Sequence, residues 1–127
     1  MSSYLALITG AIIGSSLRYV FTIFNFSVSG LPISTALVNV IGSSFAGFLL
    51  NKFNNTAYIF LYIGLFGSFT TLSSFNIEMF ALMNDKLFFK AFVFFFINIF
   101  ISFLFFLFIL LTKFKNCRLK LINRIED

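Results

Sequence analysis

A chain of 127 residues that is 60% hydrophobic and 10% charged, with 23 Phe and a mean hydropathy of +1.03, is not composed like a water-soluble domain. It is composed like a membrane protein with little mass outside the bilayer. The net charge of +5 does not indicate nucleic acid, because five of the nine Lys and Arg fall between Lys113 and Arg124, a juxtamembrane basic tail that sets topology or meets lipid headgroups. With no His, and Cys117 as the sole Cys, one chain holds neither a disulfide framework nor a Cys/His zinc or thiol site.

Four apolar runs follow in order, each near the roughly 20 residues a helix needs to cross about 30 Å of hydrocarbon. The first, about residues 4–24, has no basic n-region and no small-residue cleavage site, so it is expected as a retained span. Asn25, Phe26 and Ser27 end it. The second, about 32–50, opens after Gly30 and Leu31 with Pro32 where a helix start tolerates proline. A polar turn, Asn51 to Asn55, leads to the third, about 56–83. Asn84, Asp85 and Lys86 then lead to the fourth, about 87–112, which is dense in Phe. The runs are continuous rather than alternating, which excludes a β-barrel. The expected fold is an all-α membrane protein: one domain over residues 1–127, four transmembrane helices and a basic tail over 113–127. Four spans put both ends on one side. Lys52 and the tail cations share that side while Lys86 and Lys90 face the other, which places both termini in the cytoplasm.

The third run carries an unusual insert from Gly64 to Phe75, with two glycines, five hydroxyls and three phenylalanines. Lipid offers no hydrogen bonds, so this composition predicts a helix broken in mid-membrane whose freed groups face protein, water or an ion. Gly64, Ser68, Thr71, Ser74 or Phe75, and Glu78 would form one polar stripe. Glu78 suits either a proton-titrating role or an ion pair with Arg18. An unwound turn over 67–70 can offer backbone carbonyls to a hard cation such as Na⁺.

The other spans repeat small and polar residues every fourth position. Gly10 and Gly14 fit close helix packing, and Arg18 continues their face. A buried cation marks function or a buried partner, although snorkelling from a helix end accounts for it too. Thr35, Asn39, Ser43 and Gly47 line the second span, and Asn98 and Ser102 the fourth. The Asn39 amide serves equally as interhelical glue or as an anion ligand. No catalytic constellation is present: no His, no Gly-x-Ser-x-Gly, no phosphate loop and no carboxylate pair. Enzyme activity is not expected.

Gly10-x-x-x-Gly14-x-x-x-Arg18-Tyr19, Thr35-x-x-Val38-Asn39-x-x-Gly42-x-x-x-x-Gly47 and Gly64-x-x-Gly67-x-x-Thr70-Thr71-x-Ser73-x-Phe75-x-x-Glu78 together resemble the CrcB/Fluc fluoride channels. The resemblance implies four-helix subunits paired as an antiparallel dimer with two fluoride pores in the plasma membrane of a prokaryote. Their function would be to lower cytoplasmic fluoride by passive export. It implies a structural Na⁺, not transported, at the dimer centre on the backbone carbonyls of Gly67 and Thr70. It further implies Asn39 as the pore amide, Arg18 in the vestibule, Ser73 and Ser74 as pore hydroxyls, and positions 72 and 75 as the pore phenylalanines. Leu72 departs from that pattern, leaving Phe75 alone, and the fourth-helix pore tyrosine has Phe94 or Asn98 in its neighbourhood. A dual-topology homodimer should carry almost no charge bias, so the bias here favours an antiparallel heterodimer with a homologous subunit over a homodimer. The competing readings are a four-span proton-coupled exporter of cationic drugs, with Glu78 as its acid, and a membrane subunit that transports nothing.

Overall fold

The computed structural model describes residues 2–24, 26–50 and 55–126, with side chains through residue 116. Helices α1 (Ser2–Phe24), α2 (Ile33–Leu49), α3 (residues 55–69), α4 (Leu72–Asn84) and α5 (residues 88–126) make up most of it. Among the described residues, Ser2–Phe24, Asn55–Asn84 and Phe88–Asn116 are long and apolar enough to cross a membrane, and Ile33–Leu49 is a shorter apolar helix. The chain is thus mostly helical, in four apolar segments or passes, three of them long enough to cross a membrane, with α3 and α4 sharing the third. Helix α5 continues through the basic segment to Glu126. Asn25, Lys52 and the polar turn at 51–54 lie outside the described residues, as do the side chains of Cys117, Arg118, Lys120 and Arg124.

Short devices set the ends of the passes. Between α1 and α2, strands β1 (Ser27–Val28) and β2 (Leu31–Pro32) pair antiparallel, Ser27 opposite Pro32 and Val28 opposite Leu31. Their two loop residues, Ser29 and Gly30, have φ of 54° and 77°, the left-handed pair of a type I′ hairpin. Lys90 Nζ donates to the Ser29 carbonyl at 2.7 Å and ties this hairpin to the start of α5. At the opposite end Lys113 Nζ donates to the Leu50 carbonyl. Helix α4 stops where Lys86 turns left-handed at φ 60°. Lys86 N then donates to Met83 O at 3.0 Å and Leu87 N to Leu82 O at 2.9 Å, which satisfies the last carbonyls of the helix.

Helix α3 widens to π-helical winding over Ile59–Phe66 and lies along α1. The approach is at backbone distance: a Cβ on Gly10 would meet the Phe60 carbonyl, and one on Gly14 the Leu65 carbonyl and the Ser68 hydroxyl. Ser68 Oγ donates to Ala11 O at 3.0 Å and to Gly64 O at 2.6 Å. On the other side of the bundle α2 lies along α5. The buried apolar cluster is small, made of Ala36, Phe75, Leu82, Ala91 and Phe94. Outside it, Phe89 is 79% exposed, Phe80 71% and Phe108 70%. A surface as apolar as the interior suits contact with lipid, where exposed Phe carries no penalty.

Candidate functional site

The third pass leaves helical geometry at two residues. Thr70 has φ −72° and ψ 152°, and Thr71 has φ −145° and ψ 117°, both extended, so backbone groups that a continuous helix would pair are released. Asn39 takes up those of Thr71. Thr71 N donates to Asn39 Oδ1 at 2.8 Å, and Asn39 Nδ2 donates back to Thr71 O at 3.1 Å. One side-chain amide thereby serves both the donor and the acceptor of one residue, as a neighbouring strand would. The Thr71 hydroxyl caps α4, accepting from Ser74 N at 3.1 Å, and it also donates to Ser74 Oγ at 3.1 Å. Ser73 Oγ stands 3.2 Å from the same hydroxyl.

These partners leave two carbonyls bypassed. In an uninterrupted helix Gly67 O would accept from Thr71 N, and Thr70 O from Ser74 N. Those N–H groups go to Asn39 and to Thr71 Oγ1 instead.

Asn39 carries the network onward to the fourth pass. Its Nδ2 also donates to Asn98 Oδ1 at 2.9 Å, and Asn98 Nδ2 donates to Phe94 O at 3.0 Å. Asn98 sits in a second π-helical stretch, Ile97–Ile101, a widening of the winding that recurs at functional sites. Asn39, Ser43, Thr71, Phe75, Asn98 and Ser102 line an open cleft of about 210 Å³, which Thr70 and Leu72 also touch. The Ser102 hydroxyl is buried with no hydrogen-bond partner among the described residues, an expensive arrangement for a polar group. Phe75 packs on Phe94 with ring centroids 5.4 Å apart.

The residues singled out in the sequence divide accordingly. Asn39, Thr70, Leu72, Phe75, Asn98 and Ser102 converge on one cleft. Ser73 and Ser74 attach to it through the Thr71 hydroxyl. Gly67 lies one turn before the interruption, and Arg18 is half-buried on α1, away from the cleft. The single polar stripe expected on the third pass is split by the interruption. Gly64 and Ser68 face α1, whereas Thr71 and Glu78 face α2. Glu78 therefore pairs with Thr35, whose Oγ1 donates to Glu78 Oε1 at 2.8 Å, and not with Arg18, because α4 packs on α2 rather than on α1. Glu78 Oε2 is buried without a partner among the described residues. Thr71, the hub of the network, stands in the expected polar stripe and in the motif without a role of its own there. The signal available was a Thr directly before an apolar helical run, which is an N-cap pattern.

The family model described as CrcB-like protein, Camphor Resistance (CrcB), matches residues 5–110. This chain belongs to the CrcB-like family. Among relatives, it is 42% identical over 85 residues to the fluoride-specific ion channel FluC 3 of Methanosarcina barkeri, covering 61% of this chain and 64% of that protein. It is 39% identical over 89 residues to the fluoride-specific ion channel FluC of Idiomarina loihiensis, covering 65% and 69%. It is 38% identical over 87 residues to that of Elusimicrobium minutum, covering 65% and 70%. The chain thus spans just under two thirds of the first of these relatives. The family match, residues 5–110, takes in every residue of the Asn39 network and the cleft of this CrcB-like chain.

Proposed function

We propose that this chain forms a fluoride-selective channel in a prokaryotic plasma membrane and lowers cytoplasmic fluoride by passive export. The observation that carries the reading is the Asn39–Thr71–Asn98 network, set beside an open hydroxyl-lined cleft within an otherwise apolar helical bundle. Family membership and the names of the relatives support it. Fluoride is strongly hydrated, so a pore must replace its water with donors weak enough to let it go again. Amides, the hydroxyls of Ser43, Ser73, Ser74 and Ser102, and the positive ring edge of Phe75 are such donors. Leu72 supplies no ring, which places more of that work on hydroxyls. Arg18, in a vestibule, would draw anions toward the pore.

The bypassed carbonyls of Gly67 and Thr70 fit a structural Na⁺, a hard cation that takes neutral oxygen ligands. Bound there, it supplies a fixed positive charge that offsets the cost of an anion in low dielectric. Two subunits meet antiparallel in this reading. The concentration of cations in Lys52 and the tail favours pairing with an oppositely oriented homologous subunit over a homodimer.

Fluoride efflux from liposomes carrying this chain, alone and with an oppositely biased homologue, tests the reading in Na⁺ with chloride efflux as control. Fluoride loss without chloride loss is expected, together with a fall in rate when Na⁺ is replaced by N-methylglucamine. Transport of cationic dyes driven by a proton gradient, with no fluoride flux, would instead point to an exporter.

A further inference from the structure

The channel reading leaves open how a site built of neutral donors lets its ion go again, and Asn39 has no N–H to spare for an anion. Its two amide hydrogens go to Thr71 O and Asn98 Oδ1, while its oxygen takes Thr71 N. The amide orientations are fixed by their partners. Thr71 presents a backbone donor and a backbone acceptor to Asn39. Phe94 O can only accept, so Asn98 turns its nitrogen to the backbone and its oxygen to Asn39. Both side chains line the cleft, beside Ser43 and the unpartnered hydroxyl of Ser102. An anion entering there meets an amide hydrogen already given to a neutral carbonyl oxygen.

Resting on that reading, we propose that Asn98 is an affinity-setting residue of the pore: its amide oxygen is an internal competitor that an anion must displace from the Asn39 N–H and that takes the N–H back as the anion leaves. The Asn39–Asn98 bond is the one that exchanges, because the bonds to Thr71 are reciprocal and opening either strands a backbone group. Once displaced, Asn98 Oδ1 remains in a cleft with hydroxyl donors able to turn toward it. Fluoride, with its charge concentrated on a small ion, is a strong hydrogen-bond acceptor and recovers the cost of the exchange. That cost is the same for every halide, so the competitor weakens binding and speeds release without altering the preference between halides.

Asn98→Leu keeps the volume and removes the competing oxygen, and Asn98→Ala is the smaller alternative. In liposomes carrying the chain, alone and with the oppositely biased homologue, both variants should lower the half-saturating fluoride concentration. A drop of roughly fivefold to tenfold corresponds to one neutral hydrogen bond. The intrinsic preference for fluoride over chloride should stay as in the wild type, because the competitor's cost is common to both ions. Loss of a merely structural contact does not tighten binding. Conducting variants with unchanged or raised half-saturation would overturn this assignment alone, whereas wild-type vesicles that lose no fluoride in either preparation would overturn the channel reading beneath it. If neither variant yields monodisperse protein, the wild type decides by NMR of its side-chain amides. Fluoride should then move the Asn39 and Asn98 signals together; a pair that stays silent at saturating fluoride, or an Asn39 signal that moves without Asn98, would overturn the proposal.

Discussion

Along α1 and α3, Gly10 and Gly14, then Gly64 and Ser68, recur at four-residue spacing; along α2 and α5, Thr35, Asn39 and Ser43, then Asn98 and Ser102, recur at the same spacing. The first seam is closed. Its backbones touch, and the Ser68 hydroxyl turns back onto Ala11 and Gly64 carbonyls. The second holds an open cleft, a side-chain amide doing the work of a strand, and a hydroxyl with no partner. Small and polar residues at helical spacing therefore serve two ends in one bundle. What separates them is whether neighbouring backbone is intact. Beside a continuous helix, small residues let helices approach. Beside an interrupted one, polar side chains must satisfy the released groups, and space for a ligand is left over.

This difference can be broken at either seam. The largest effect is expected from Gly14→Leu, whose side chain would collide with the Leu65 carbonyl and Ser68. Overpacking against backbone costs about 3 kcal/mol or more, so the variant should lose its monodisperse peak on size-exclusion chromatography in detergent. Ser68→Ala removes hydrogen bonds at the same seam without a clash. It should cost about 1 kcal/mol in thermal unfolding and leave the fluoride-to-chloride ratio as in the wild type. Ser43→Ala is the mirror case in the cleft. Stability should stay within roughly 0.5 kcal/mol, while fluoride efflux falls several-fold. Lys90→Met releases the Ser29 carbonyl at the hairpin. This exposed contact is worth about 0.5 kcal/mol, read as a small drop in melting temperature with normal flux.

The four helical segments were legible because hydropathy and length leave an apolar chain few options, and Pro32 and the Asn84–Lys86 turn mark their ends, although only three of them are long enough to cross a membrane. The insert from Gly64 to Phe75 and Asn39 stood out for the same reason, being polar where lipid tolerates nothing polar. The partners were not legible. Glu78 could be assigned to Arg18 or to a titrating role by charge alone, and its hydroxyl partner Thr35 emerged only once α4 was seen against α2. Asn98 and Ser102 showed as a spacing pattern. That Asn98 reaches Asn39, and that Ser102 reaches nothing, depends on how α5 is rotated about its axis, which a Phe-rich helix with apolar residues on every side does not reveal.

The most direct test of the central claim compares wild type with Asn39→Ala for fluoride efflux in the same liposome preparation, in Na⁺ and with chloride as control. Losing Asn39 strands the N–H and C=O of Thr71 and dismantles the donor network at the interruption. Fluoride efflux should fall to the background of empty liposomes while the protein still elutes as an assembled species. Asn39→Ala vesicles that release fluoride at the wild-type rate, with selectivity intact, would contradict the placement of the conduction site at this cleft.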